Sequence, residues 1–182
     1  MKLCVTVSGK DQSGIIADVT SVFYRLKGNL QDATMSILCG EFAMIFIVAL
    51  PSQKQLSVLE SYLKRLEAKR KLSIDIRPLS PAKKKKIPHA TQYEMPYYVS
   101  IFGEDRAGIV YHVSHLLASR GLNITDLNSK LIQMGKKKIY GLALEVDIPK
   151  SKDIKSVEKG LRQVAKRYRA DLVFKPVEPL PL

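Results

Sequence analysis

The sequence predicts an α+β protein built as two ferredoxin-like βαββαβ plaits in tandem. Two observations predict it. First, the chain repeats itself: residues 3–36 lie over 97–130 at a constant offset of 94 with no gap. Val5, Gly9, Asp11, Gly14, Ile15, Val19, Asn29 and Asp32 recur as Val99, Gly103, Asp105, Gly108, Ile109, Val113, Asn123 and Asp126. Second, each copy carries the same succession of period-two and helical-period apolar segments: strand, helix, strand, strand, helix, strand.

The elements follow in order. Residues 2–8 are apolar and β-branched and end at Gly9, which reads as a strand. Ile15, Ile16, Val19, Val22, Phe23 and Leu26 then recur at helical spacing, with Gly28 as a stop. Residues 30–38 form a second strand, followed by the turn residues Gly40-Glu41. Residues 42–50 are apolar at nearly every position, as in a central strand. Pro51-Ser52 opens a helix carrying Leu56, Leu59, Leu63 and Leu66, and 72–76 alternates as a fourth strand. The second copy predicts strand 97–102, helix 107–119, strands 123–133 and 139–148, helix 151–168 and strand 172–175; it is four residues longer around Met134–138. Right-handed crossovers in this order put both helices on one face of an antiparallel sheet. The other face stays bare unless the copies cover each other or pair edge to edge.

Residues 80–95 hold two prolines and Lys83-Lys84-Lys85-Lys86, which oppose helix and sheet, so they read as a linker. The expected domains are therefore 1–79 and 96–177, with a proline-rich tail at 178–182. The 182 residues are 46% hydrophobic and 26% charged, an ordinary globular composition that excludes disordered, collagen-like and disulfide-scaffold classes. The longest apolar run, 42–50, is nine residues, half of a membrane span. The chain enters a strand directly, with no signal-like segment. Cys4 and Cys39 lie in apolar surroundings outside any CxxC or Cys/His cluster, and both are expected to be buried and reduced. Together these predict a cytoplasmic protein away from membranes.

Gly9-Lys10-Asp11-Gln12-Ser13-Gly14-Ile15-Ile16 recurs as Gly103-Glu104-Asp105-Arg106-Ala107-Gly108-Ile109-Val110, between the first strand and the first helix. The first glycine permits an unusual backbone angle at the strand exit. The aspartate is a candidate helix cap. The second glycine, expected in the first helical turn, exposes backbone N–H groups. Those groups and the helix dipole favour a carboxylate or another anion. A tight strand-to-helix turn asks for glycine and aspartate on its own account. The duplication, followed both times by Asn (Asn29, Asn123), is what points to a ligand.

The pattern G-x-D-x-x-G-I-[IV], with N-[LI]-x-D about 15 residues on, resembles the ACT domain. Two such domains with nothing attached resemble the glycine cleavage system transcriptional repressor family. Residues 105–110 are close to that family's D-R-P-G-I-V, with Ala107 where proline is usual; residues 11–16 depart further, at Gln12 and Ser13. The resemblance implies a small ligand, glycine or another small amino acid, held where the glycine loop of one domain meets the second strand of a neighbour. The implied ligand residues are Asp11, Gln12, Ser13, Gly14, Ile15 and Asn29, and Asp105, Arg106, Ala107, Gly108, Ile109 and Asn123. Backbone N–H groups would hold its carboxylate, and Asp and Asn oxygens its ammonium.

The remaining signals argue against catalysis. His89 falls in the linker, while His112 and His115 share a helix face as a polar pair without a third ligand, so no metal site is predicted. No catalytic triad order, metalloprotease motif, P-loop or dinucleotide fingerprint appears, so neither an enzyme nor a cofactor is expected. Lys+Arg is 30 against Asp+Glu 17, a net +13. That charge fits a solvated surface, an acidic protein partner or weak nucleic-acid binding. Lys155, Lys159, Arg162, Lys166 and Arg169 form one basic stripe on the 151–168 helix. The RNA-recognition fold shares this topology but reads bases with aromatics on its central strands; the third strand here offers Phe42 and Phe46 without the G-F-x-F pattern. The expected function is a non-catalytic, homo-oligomeric amino-acid sensor that regulates, including at transcription, through a protein partner. The alternatives are a basic nucleic-acid binder and a ligand-free dimerisation module.

Overall fold

The computed structural model describes residues 1–79, 93–135 and 137–177. The chain divides into two compact units, Met1–Lys85 and Lys86–Leu182. The first contains β1 (Lys2–Lys10), α1 (Ile15–Arg25), β2 (Asn29–Leu38), β3 (Glu41–Ala49), α2 (Leu56–Arg70) and β4 (Ser73–Leu79). The second contains β5 (Tyr93–Glu104), α3 (Ile109–Ser119), β6 (Asn123–Met134), β7 (Lys137–Pro149), α4 (Ile154–Arg167) and β8 (Ala170–Pro176). Each unit is one antiparallel sheet, ordered β2-β3-β1-β4 and β6-β7-β5-β8. The tandem plait is therefore present, with the third strand of each copy inside its sheet. Most of the predicted linker and all of the tail lie outside the described residues, and β5 begins at Tyr93.

Alternation of side chains along each strand decides which face carries the core. Leu3, Val5 and Val7 of β1 and Phe42, Met44, Phe46 and Val48 of β3 pack with Val19, Phe23, Leu59 and Leu63 of the helices. Phe23 meets Phe46 edge to face, ring centroids 5.3 Å apart. The near-continuous apolar run of β3 therefore splits: its even-numbered residues are buried, while Ile45 on the bare face is 42% exposed. In the second copy Val99, Ile101, Leu142, Leu144 and Val146 pack with Val113, Leu117, Val157 and Leu161.

Several local expectations change. Cys4 is buried, but Cys39 is exposed in the β2–β3 turn at φ +52°, because the hairpin needs a left-handed residue beside Gly40. The helix expected from Ala107 starts at Ile109, and that expected from Ser151 starts at Ile154, after Asp153, whose carboxylate accepts the Lys155 N–H at 3.0 Å. Lys27, Lys71 and Arg169 end their helices in the left-handed region, where glycine is the usual residue. A cation there faces the negative end of the helix dipole, which offsets part of the roughly 1–2 kcal/mol backbone cost.

The first glycine of each loop is required mainly for closeness. A Cβ on Gly103 would lie 2.6 Å from the Ala170 Cβ and 2.9 Å from its Cα, and one on Gly9, at φ +153°, 2.9 Å from Leu72 Cδ2. Gly40 has φ +78° and open space around it. Gly103→Ala should therefore lower unfolding stability by about 1–3 kcal/mol, because strand backbone must move. Gly40→Ala should cost only the left-handed penalty of about 1 kcal/mol. Urea denaturation of the two variants compares them; an equal or smaller loss at Gly103 would show that β5 and the start of β8 are not locked together.

Candidate glycine-loop site

The loop joining β1 to α1 is tied to the β2–β3 turn through Asp11, whose N–H donates to the Gly40 carbonyl at 2.9 Å. Gly14 and Gly108 are not in the first helical turn. They are the N-caps of α1 and α3, left-handed at φ 89° and 98°. Their carbonyls accept the first helical bonds, from Asp18 N–H and His112 N–H, both at 3.0 Å. Neither Asp11 nor Asp105 caps its helix; no side-chain cap bond exists at either end. A left-handed N-cap turns the preceding aspartate away from the helix axis. The N–H groups of Ile15, Ile16 and Ala17, and of Ile109, Val110 and Tyr111, accordingly meet no backbone acceptor among the described residues. They carry the positive end of the dipole to the surface.

Each loop is latched to the end of the copy's second helix. In the first copy Arg70 Nη2 lies 2.7 Å from Asp18 Oδ2, and its Nε donates to the same oxygen at 2.9 Å. Arg70 Nη1 donates to the Ser13 carbonyl at 3.2 Å, and Gln12 Nε2 donates to the Arg70 carbonyl at 3.2 Å. In the second copy the corresponding positions, at an offset of 94 for Asp18 and 98 for Arg70, are His112 and Tyr168. Tyr168 Oη lies 2.7 Å from His112 Nδ1, which also approaches the Gly108 carbonyl at 2.9 Å, and Arg167 Nη1 is 3.1 Å from His112 Nε2. With the proton on Nδ1, that one N–H is shared between the Gly108 carbonyl and the Tyr168 oxygen, and Nε2 accepts from Arg167. So His112 is part of the loop's support rather than one of an exposed pair, while His115 stacks on Tyr111 at a centroid distance of 5.6 Å. A Cβ on Gly108 would lie 2.9 Å from Tyr168 Oη, so the glycine makes room for the latch as well as for the turn. Arg106 instead turns back to Glu104, at 2.8 Å.

The predicted ligand residues do not all converge within one copy. Asp11, Gln12, Ser13, Gly14 and Ile15 share the loop end of the first sheet, as Asp105, Arg106, Ala107, Gly108 and Ile109 do in the second. Asn29 pairs across to Ala49, which also faces Lys2, whereas Gly9 faces Phe42. Asn29 is thus at the other end of the sheet, roughly 25 Å from its own loop at about 3.3 Å per residue. Asn123, opposite Asp147, is placed alike. Both copies bulge just after the asparagine, between Leu30 and Asp32 and between Ile124 and Asp126, which is what the shared N-x-x-D spacing encodes.

Burial decides the placement of the two β3 aromatics. Phe42 and Phe46 both point into the helix-facing core, so the first copy has no aromatic platform there. Among the described residues no group of three His, Cys, Asp or Glu side chains is arranged to hold a metal ion, and no helix is long and apolar enough to cross a membrane.

Each copy is thus a small βαββαβ plait whose first strand–helix turn ends in a left-handed glycine cap. This chain belongs to the ACT domain family, whose model matches residues 2–77 and 97–175. It is 36% identical over 70 residues to a UPF0237 protein of Pyrobaculum aerophilum, covering 38% of this chain and 73% of that one. The fold is similar to that of an unknown protein from Galdieria sulphuraria, with 24% identity, a TM-score of 0.81, and coverage of 97% and 98%. It is also similar to a chain assigned by name to the glycine cleavage system transcriptional repressors, with 16% identity, a TM-score of 0.72, and 98% of both chains covered.

The latches give a direct test. Arg70→Ala should cost about 1 kcal/mol or less, because the Arg70–Asp18 pair is partly solvent-screened. Tyr168→Phe should cost about 0.5–1.5 kcal/mol for one lost hydrogen bond. Hydrogen exchange at the loop amides should quicken only in the copy that was altered. Unchanged exchange at 11–15 in Arg70→Ala would mean the loop holds its shape without the latch.

Proposed function

We propose that the protein is a non-catalytic cytoplasmic regulator that senses a small amino acid and passes the signal to a protein partner. The observation that carries this reading is the doubled glycine loop. Twice in one ACT-family chain, a left-handed glycine N-cap presents unpaired helix N–H groups beside a latch that fixes them. Such a surface suits a carboxylate. The Asp and Asn oxygens of the family pattern suit an ammonium. Because Asn29 and Asn123 stand far from their own loops, the ligand would be completed by the second strand of a neighbouring ACT domain, which couples binding to association. Glycine is one candidate ligand. Control of transcription is the finer form of the proposal, in line with the name carried by one of the fold relatives.

Thermal unfolding of the full chain against the twenty amino acids tests it. A ligand of the native state should raise Tm by mass action, worth about 2.7 kcal/mol at a hundredfold excess over Kd. Asn29→Ala and Asn123→Ala should remove that shift while leaving the unliganded Tm nearly unchanged, since both side chains are exposed. Replacing Gly14 or Gly108 would confound the reading with a folding defect. A panel in which no amino acid moves Tm, or a shift that survives both asparagine replacements, would overturn the proposal.

A further inference from the structure

The two copies differ at the free edge of the last strand. In the first copy, β4 is an edge strand, and the Ile74 N–H points away from β1 and donates to Glu67 Oε1 of α2 at 2.9 Å. The chain thus caps its own exposed edge with a carboxylate. In the second copy, β8 is the edge, and the register repeats: Val7 faces Ile74 as Ile101 faces Leu172. Antiparallel pairs alternate between bonded and unbonded, so the Leu172 N–H points outward as the Ile74 N–H does. The residue equivalent to Glu67 is Ala165, which offers no acceptor.

What lies there instead is a groove of about 630 Å³ between α4 and β8, lined by Ala165, Ala170 and Leu172 with Arg162, Lys166 and Arg169 on its rim. Its one acid, Asp171, projects from the opposite face of β8 by strand alternation. The corresponding rim positions in the first copy are Lys64, Ala68 and Lys71, so the second copy gains a cation where it loses the carboxylate. Lys155 and Lys159 continue the cationic ridge along α4, and neither has an ion-pair partner among the described residues.

We propose that this groove is a docking surface for an acidic, extended segment of a partner protein. The segment lies along the free edge of β8 and places a carboxylate where Glu67 sits in the first copy. The first copy shows which group satisfies the edge: a carboxylate oxygen on the outward N–H. The cationic rim supplies the counter-charge, and the apolar floor accepts a neighbouring side chain. Outward donors run to Phe174 and stop at Pro176, which has no N–H, so the segment spans about five residues. A second copy of this chain is a poor occupant, because its net charge is +13. A nucleic acid is disfavoured by the floor, which offers no aromatic stacking surface, and by Glu158, whose carboxylate stands within the ridge bonded to Arg162 at 2.6 Å.

The test measures fluorescence anisotropy of the full chain with three labelled probes at physiological ionic strength. The probes are a short peptide of alternating glutamate and valine, its glutamine counterpart, and a single-stranded oligothymidine. The glutamate peptide should bind most tightly. Ala165→Glu installs the first copy's own cap and should weaken it about tenfold or more, the worth of a charge-assisted hydrogen bond and its rim contacts. Gln163→Glu adds the same charge on the exposed face of α4 and should change affinity by about twofold at most. Exchanging Arg162, Lys166 and Arg169 together for Gln should abolish binding with the fold intact, as these side chains are exposed. The proposal is overturned if the glutamate peptide does not bind, if Ala165→Glu and Gln163→Glu weaken it equally, or if the oligothymidine binds more tightly than the peptide.

Discussion

The close approach of the second helix's end to the first strand–helix turn is the constraint on which the rest of each copy depends. Gly9 and Gly103 let the start of the last strand come against the first strand, and Gly14 and Gly108 let the turn fold over the C-terminal end of the second helix, at Arg70 and Tyr168. A side chain at any of the four meets Leu72, Ala170, Arg70 or Tyr168. With the approach in place, the apolar faces of both helices settle on one side of the sheet and the first helix's N-terminal N–H groups are held outward at a fixed angle. Sequence produces local geometry here, local geometry positions the core, and the same atoms set up the candidate site.

How much of this was legible in the sequence follows from where each signal resides. The plait was legible because the repeat and the apolar periods are properties of consecutive residues, and burial of the predicted stripes follows from them. The helix starts at Ile109 and Ile154 were missed by two or three residues, because a left-handed glycine cap and an aspartate cap look the same as a helix interior to a periodicity argument. The capping role given to Asp11 and Asp105 failed for the same reason: Gly14 and Gly108 occupy the cap. The exposure of Cys39 depended on a hairpin conformation rather than on its apolar neighbours. The latches were hidden because Asp18 and Arg70 are 52 residues apart. Only the shift of the repeat offset from 94 to 98 after the hairpin brings Asp18/Arg70 into line with His112/Tyr168.

That pair of pairs shows what the duplication conserves and what it frees. An ion pair and a histidine–tyrosine hydrogen bond share neither charge nor shape, yet each ties the same two helix ends across the same glycine. The geometry of the turn is what the two copies have in common. The chemistry beside it differs: a guanidinium next to the first turn, an imidazole and phenol next to the second. The two loops thus share a backbone and differ in the side chains that hold it.

The edge strands carry the same reasoning one step further. A free edge in water is a hazard, and the first copy answers it within its own sequence, through Glu67. In the second copy the equivalent residue is alanine, so the edge depends on solvent or on a carboxylate from elsewhere. Lys166 stands where the first copy has Ala68, which raises the local positive potential just where an acid has been removed. Loss of an internal anion together with gain of a cation is electrostatically unfavourable for the isolated copy, since like charges along α4 repel. The acidic segment proposed for the groove would relieve that repulsion. In one chain, the first copy is therefore closed at this edge and the second is open, and the difference rests on a handful of side chains laid over a common backbone.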